Sequence, residues 1–257
     1  MKKELLPEKL GFAPDHVPVF KVPWRAKFKT VPTVFPTAKA AGGHVIVSNP
    51  LTADLMIHFD TDPAITKISA YPRKVIYPTY DRYGLSEVKE HSPALGILDE
   101  DGVITYADCI PYVIQKERPG IERRTEALQT ALWDDYGILY TVFDERDIHI
   151  QPRLWNLRLI WRHHRDNDPE HVSAIRRALD VLELPAKIGQ VRAAVSFRTP
   201  IWRTSTPQGS FETPLDEVDP VFSALMSLAF TGSIELDTSR RFSDETIINH
   251  RQKWSDD

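Results

Sequence analysis

The residues best placed to do chemistry lie between His91 and Pro111, in the stretch HSPALGILDEDGVITYADCIP. Pro93 leads one apolar run, Glu100-Asp101-Gly102 supplies a turn, and a second run, VITYADC at 103 to 109, carries an acid near its end, Asp108. Apolar runs flanking an Asp-Gly turn predict a β-hairpin. Metal-dependent DNA nucleases display carboxylates on hairpins of this outline, where a cation stabilises charge on the phosphodiester and activates water. Two positions where that chemistry wants polar side chains hold Ala94 and Ile110.

Other chemistry finds little footing. Glu87-Val88-Lys89 spells an acid-x-Lys triplet, but it precedes the hairpin in the polar stretch DRYGLSEVKEH and is expected to form a loop or strand edge. His163, His164 and His171 lack the spacing of a zinc site, because adjacent residues on a helix diverge by about 100 degrees; they are expected to be polar residues of a linker. No Gly-x-Gly-x-x-Gly, Walker lysine or Gly-x-Ser-x-Gly elbow occurs, so nucleotide hydrolysis and acyl transfer have no support. Cys109, the one cysteine, excludes an internal disulfide and fits a reducing compartment. A negative neighbour raises a thiol pKa, so beside Asp108 it is expected to be a small buried hydrophobe.

A hairpin needs a core to hold it, and 257 residues with 42% hydrophobic and 10% aromatic content provide one. The N-terminal sequence MKKELLPEKLGF is a poor signal peptide, and no window reaches the ~18 apolar residues of a membrane span, so the expectation is a soluble cytoplasmic protein without membrane contact. Residues 1–45, rich in Pro and carrying the basic run KVPWRAKFK, read as an extended arm in which Arg25, Lys27 and Lys29 are candidates for tracking DNA phosphate. LTADLMIHF, from Leu51, has helical spacing. RKVIYP at 73–78, ALGIL at 94–98 and VITYADC at 103–109 read as strands. IERRTEALQTALWDDYG has Ala127, Leu128, Ala131 and Leu132 on one face and Gly137 at its end, a helix of about four turns. ILYTVFDE, from Ile138, is suited to a strand buried on both faces. The pattern predicts a mixed α/β domain over 46–167.

Pro169 marks the expected start of a second, helical domain over 168–257. EHVSAIRRALDVLEL aligns Val172, Ile175, Leu179 and Leu182 on one helix face, TSTPQGS at 204–210 reads as a flexible loop, and SIEL as a short strand. Ser243, with Asp244 and Glu245 after it, reads as the cap of a last helix, giving a winged-helix-like arrangement.

The order of these elements resembles that of the TnsA-type transposon endonucleases. The likeness rests on SNPLTADLMIHFDTDPAITKISAYP, the hairpin, GILYTVFDERDIHIQPRLWNLRLIWRHHR and LAFTGSIELDTSRRFSDETIINHR, in that order. It implies a restriction-endonuclease-like PD-(D/E)xK domain followed by a winged-helix-like domain, with Mg2+ as cofactor if active. DNA and transposase or transposition-regulator subunits are the implied partners. The family's acidic residue on its first helix falls near Pro50 to Thr52, where none is acidic; its Pro-Asp pair is Pro93-Ala94; its last motif falls on Asp108-Cys109-Ile110, without the lysine. One of the four catalytic positions keeps its residue type. Asp54, about one helical turn on, and Lys116 or Gln115, after the hairpin, are the candidates to replace what is missing, with Asp108 and Asp54 as metal ligands.

Net charge is -4, so a DNA contact must come from a local patch. Between Gln151 and Arg203 ten basic residues face five acids, with Trp155, Trp161 and Trp202 interleaved. Arg153, Arg158, Arg162, Arg165, Arg176 and Arg177 are the candidate DNA contacts there; Arg240 and Arg241, with Arg251 and Lys253, extend the set. Three readings follow: a transposition-associated protein with a degenerate nuclease site, an active Mg2+-dependent endonuclease cutting transposon ends, and an interaction scaffold without a DNA role.

Overall fold

A computed structural model describes residues 6–23, 32–80, 83–164, 168–197, 201–206, 209–214 and 219–251, with 201–206 and 209–214 described as backbone only. The chain is mixed α/β and divides into two compact units, Met1–Ile150 and Gln151–Asp257. No helix among the described residues is long and apolar enough to cross a membrane.

In the first unit, β1 (Thr33–Pro36) and β2 (His44–Val47) form a hairpin within what the sequence predicts to be a largely irregular arm. Arg25, Lys27 and Lys29 lie outside the described residues. Helix α1 (Pro50–Thr61) starts where Asn49 accepts a hydrogen bond from the Thr52 backbone N–H at 2.9 Å and Pro50 presets the first helical φ. Strand β3 (Ile65–Ala70) follows, then a separate hairpin of β4 (Val75–Tyr80) and β5 (Ser86–His91). Glu87 and Lys89 therefore stand on β5, where they pair with each other, outside the main sheet.

The main hairpin is β6 (Leu95–Asp99) and β7 (Ile104–Cys109), turned by Gly102 at φ 82° and by the Asp99 carboxylate, which accepts from the N–H groups of Asp101 and Val103 at 3.0 and 2.8 Å. Helix α2 (Tyr112–Glu117), helix α3 (Gly120–Tyr136), strand β8 (Leu139–Phe143) and one helical turn, α4 (Glu145–Ile148), complete the unit. The sheet order is β3-β6-β7-β8; the first three strands are antiparallel, and β8 lies parallel to β7 because α3 carries the chain back. Gly137, at φ 69°, ends α3 by donating to Leu132 O and Trp133 O. Leu128 and Leu132 lock α3 onto Tyr106, Tyr140, Val75 and Tyr77 in one apolar cluster. Burying each leucine stabilises the unit by about 1.5–3 kcal/mol. β8 is an edge strand with Leu139 exposed, and not the strand buried on both faces that its apolar run predicts.

In the second unit, α5 (Arg153–His163), α6 (Pro169–Leu182), α7 (Ile188–Ala194) and α8 (Pro220–Phe230) pack around Ile160, Ile175, Leu179, Val191, Leu225 and Ile248. The boundary differs from the expected one near Pro169, since Ile160 of α5 is buried in this second core. β9 (Ala186–Lys187), β12 (Glu235–Leu236) and β13 (Ile247–Asn249) form a small sheet in the order β12-β13-β9. β10 (Ile201–Thr206) and β11 (Gly209–Pro214) pair as a hairpin where a flexible loop is expected.

The expected last helix is absent among the described residues. Ser243 caps a turn, its hydroxyl accepting from the Glu245 N–H at 3.2 Å, and the next residues extend as β13. Thr246 and the β-branched pair Ile247-Ile248 favour a strand, and tertiary pairing with β9 and β12 decides it. His163, whose Nδ1 lies 3.0 Å from Ser223 Oγ, and His164, stacked on Phe230 at 4.0 Å, pack against α8, and His171 lies against Phe197 at 4.4 Å, so these histidines belong to the packing of this unit and are not a linker.

Candidate functional site

The candidate site is built where β5, β6, β7 and β8 end near one another. Side chains alternate along β7, so Tyr106 and Asp108 share the face that packs under α3. In the parallel register, Tyr106 stands beside Tyr140 and Asp108 beside Val142, which puts Tyr140 diagonally next to Asp108 on that face. The Tyr140 hydroxyl donates to Asp108 Oδ2 at 2.5 Å, and His91 Nε2, at the end of β5, reaches the same oxygen at 2.5 Å. The His91 and Tyr140 rings meet edge to face, 6.4 Å apart. Leu95 pairs with Ala107, so Ala94 comes opposite Asp108, and its backbone N–H donates to Oδ1 at 2.8 Å.

Asp108 is 7% exposed. Burial by itself raises its pKa; the hydrogen bond and charge of His91, then the Tyr140 hydroxyl and the Ala94 N–H, outweigh burial and hold the carboxyl below the usual aspartate range. The same contacts act in reverse on Tyr140, whose phenol is pushed up by burial and by the Asp108 charge. Tyr71, which follows β3, is also buried and raised, by burial first and then by the charges of Asp108 and Cys109.

On the opposite face of β7, Cys109 meets Thr52 in the first turn of α1. Burial pushes its thiol up to about 12, while the residue itself is half-buried and not the fully buried small hydrophobe expected from the sequence. Further along α1, the Asp54 carboxylate pairs with His149 Nε2 at 2.9 Å, just past α4. Lys116 lies over the Tyr112 ring at 5.4 Å, and Gln115 donates to the Ile110 carbonyl at 2.8 Å. Asp108, Asp54 and Lys116 are thus engaged by different partners. Among the described residues no group of three or more His, Cys, Asp or Glu side chains is arranged to hold a metal ion.

A divalent cation does not fit the residues present. Mg2+ needs oxygen donors converging at short, regular distances. The position across from Asp108 carries a methyl group, Ile110 is apolar, and three donors already point at the roughly four lone-pair positions of the Asp108 carboxylate. What the arrangement does is fix the ends of β5, β6 and β8 to β7 through one buried charge. His91 and Tyr140, the residues that sequence reasoning missed, had one signal: a Tyr in a buried strand needs a partner for its hydroxyl, and Asp108 is the nearest acid in the predicted hairpin.

In the second unit, Arg158 and Arg162 stand one turn apart on α5, with Trp155 one turn before Arg158, and all three are exposed. Arg241 lies over the Trp155 ring at 5.5 Å. The loop carrying Arg240 and Arg241 is tied to α5 by Asn156, which is fully buried: Nδ2 donates to Thr238 O and Arg240 O at 3.1 and 2.6 Å, and Oδ1 accepts from Phe242 N–H at 3.3 Å. Arg153 is exposed at the start of α5, and Arg176 and Arg177 are exposed on α6, where Arg176 reaches Ser233 Oγ at 3.4 Å. Arg165, Trp202, Arg203, Arg198 and Lys253 lie outside the residues whose side chains are described. Lys187 pairs with Glu245, and Arg192 with Asp219 and Asp244, so part of the basic excess counted between Gln151 and Arg203 is neutralised by acids beyond it. The chain matches no protein-family model and no curated protein.

Proposed function

We propose that the chain is a TnsA-like, transposition-associated protein whose nuclease centre is degenerate and which acts by binding DNA, transposase partners or both. The observation that carries this reading is the commitment of Asp108. The one acid retained at the expected catalytic positions is buried and tied to His91, Tyr140 and the Ala94 N–H, a use that stabilises the strand ends and leaves it poorly placed to hold a cation. The succession of α1, β3, the β6–β7 hairpin, α3 and the parallel β8 supports a restriction-endonuclease-like first unit. Helices beside small antiparallel sheets are compatible with a winged-helix-like second unit, although no helix follows α8 among the described residues to serve for recognition. The exposed Trp155, Arg158, Arg162 and Arg241 combine charge with an aromatic face, which is how proteins follow a nucleic-acid backbone.

Two titrations of the full chain test the reading. Calorimetry with Mn2+ on the wild type and on Asp108→Ala is expected to show no site-specific binding in either, while DNA binding falls steeply as salt rises. Saturable Mn2+ binding that disappears in Asp108→Ala would instead favour an active endonuclease. DNA binding that is absent, or flat with salt, would favour a scaffold without a DNA role.

A further inference from the structure

A cavity of about 820 Å³ opens in the first unit between residues 11–22, the turn at 38–46 and the outer edge of β3, a size in the range of small-ligand sites. Its walls are mainly apolar, with Phe12, Val17, Phe20, Val45, Ile68 and Tyr71.

Hydrogen bonds and close packing hold the walls in place. Tyr106 Oη donates to Leu10 O at 2.8 Å, and the Val19 N–H donates to Tyr71 O at 3.1 Å. A Cβ on Gly11, at φ 93°, would lie 2.5 Å from Pro72 Cβ, so this segment is seated against the body of the unit with no room to spare. On the other side, the Ile68 N–H donates to Lys39 O at 2.9 Å, and the Lys39 ammonium reaches Phe59 O and Asp62 O at 3.1 and 2.6 Å. The space is part of the architecture.

The charge of the lining indicates what it takes. Lys21, Lys39 and Lys67 line it together with His16 and His44, and no aspartate or glutamate does so among the described residues. Lys21 and Lys67 are exposed and pair with no carboxylate among the described residues.

We propose that this cavity binds an apolar small-molecule anion, an alkyl or aryl carboxylic acid, whose body lies along Phe12, Phe20 and Tyr71 and whose carboxylate meets the Lys21 and Lys67 ammonium groups. The site does not depend on the DNA-binding reading, although one of its walls, Tyr71, also borders the Asp108 cluster.

The test is calorimetry of the full chain with dodecanoate below its micelle concentration, with dodecanol as the uncharged control. One equivalent is expected to bind saturably, the alcohol at least about tenfold more weakly, and Lys21→Glu/Lys67→Glu to weaken the acid about tenfold. Ala41→Trp, which places a ring on the exposed rim, is expected to block binding with circular dichroism and Tm unchanged. The proposal is overturned by non-saturating uptake, by equal binding of acid and alcohol, or by affinity unaffected in the charge-reversed and Ala41→Trp variants.

Discussion

The Tyr140 hydroxyl donates to Asp108 Oδ2 at 2.5 Å, across the one parallel strand pair of the main sheet. That bond ties the edge strand β8 to β7 at a point where side chains, and not the backbone ladder alone, set the spacing. Tyr140→Phe keeps the ring among Leu128, Leu132 and Tyr106 and removes only the donor. A loss of about 1–3 kcal/mol is expected in urea unfolding, since a buried carboxylate loses one of its partners. A change below a few tenths of a kcal/mol would mean that His91 and the Ala94 N–H satisfy Asp108 unaided.

Asp108 also predicts a pH dependence. Its folded-state pKa lies below its unfolded value, so the unfolded chain takes up the proton first. The contribution is complete above the ordinary aspartate value of about 3.9 and is lost as pH falls through the folded pKa. Asp108→Asn is therefore expected to lower the urea midpoint at pH 7, with the gap to wild type closing as pH is brought below about 4. A gap that stays constant with pH would sink this assignment.

Asn156 joins α5 to the loop that carries Arg240 and Arg241. Asn156→Ala leaves two carbonyls and an N–H without their partner, and about 1–3 kcal/mol of stability is expected to go with it. Thermal unfolding measures the loss. If the proposed DNA surface is right, DNA affinity falls as well at temperatures where the variant remains folded, because Arg241 is no longer held over Trp155.

The arginine stripe on α5 makes a prediction in salt. Replacing Arg158 and Arg162 together by Ala is expected to weaken DNA binding across sequences and to reduce the slope of log K against log salt by roughly 1.8, at about 0.9 for each phosphate no longer neutralised. Fluorescence anisotropy with a labelled duplex at several salt concentrations gives the slope directly. An unchanged slope, or no DNA binding by the wild type, would count against the proposed DNA surface on α5.

Gly11 offers a check on the fold itself. Its φ of 93° and the 2.5 Å approach of a Cβ to Pro72 leave no accommodation for alanine. Gly11→Ala is expected to lower Tm by several degrees, corresponding to about 1–3 kcal/mol of strain.

Much of the local structure was legible in the sequence because it rests on local causes. Alternation around Asp101-Gly102 determined the β6–β7 hairpin, the Leu128 and Leu132 stripe with Gly137 determined α3, and helical spacing from Leu51 located α1. That Ala94 and Ile110 supply no ligand was equally plain, since a methyl and an alkyl chain cannot bind a cation whatever surrounds them.

Tertiary structure decided the rest. Whether residues 247–249 extend or coil depends on β9, some sixty residues away, and whether α5 closes the first unit or enters the second depends on which core receives Ile160. The use of Asp108 depends on His91 and Tyr140, 17 and 32 residues distant, brought together by strand register. Local sequence sets backbone preference, but a carboxylate's partners are chosen by whatever the fold places within about 3 Å of it.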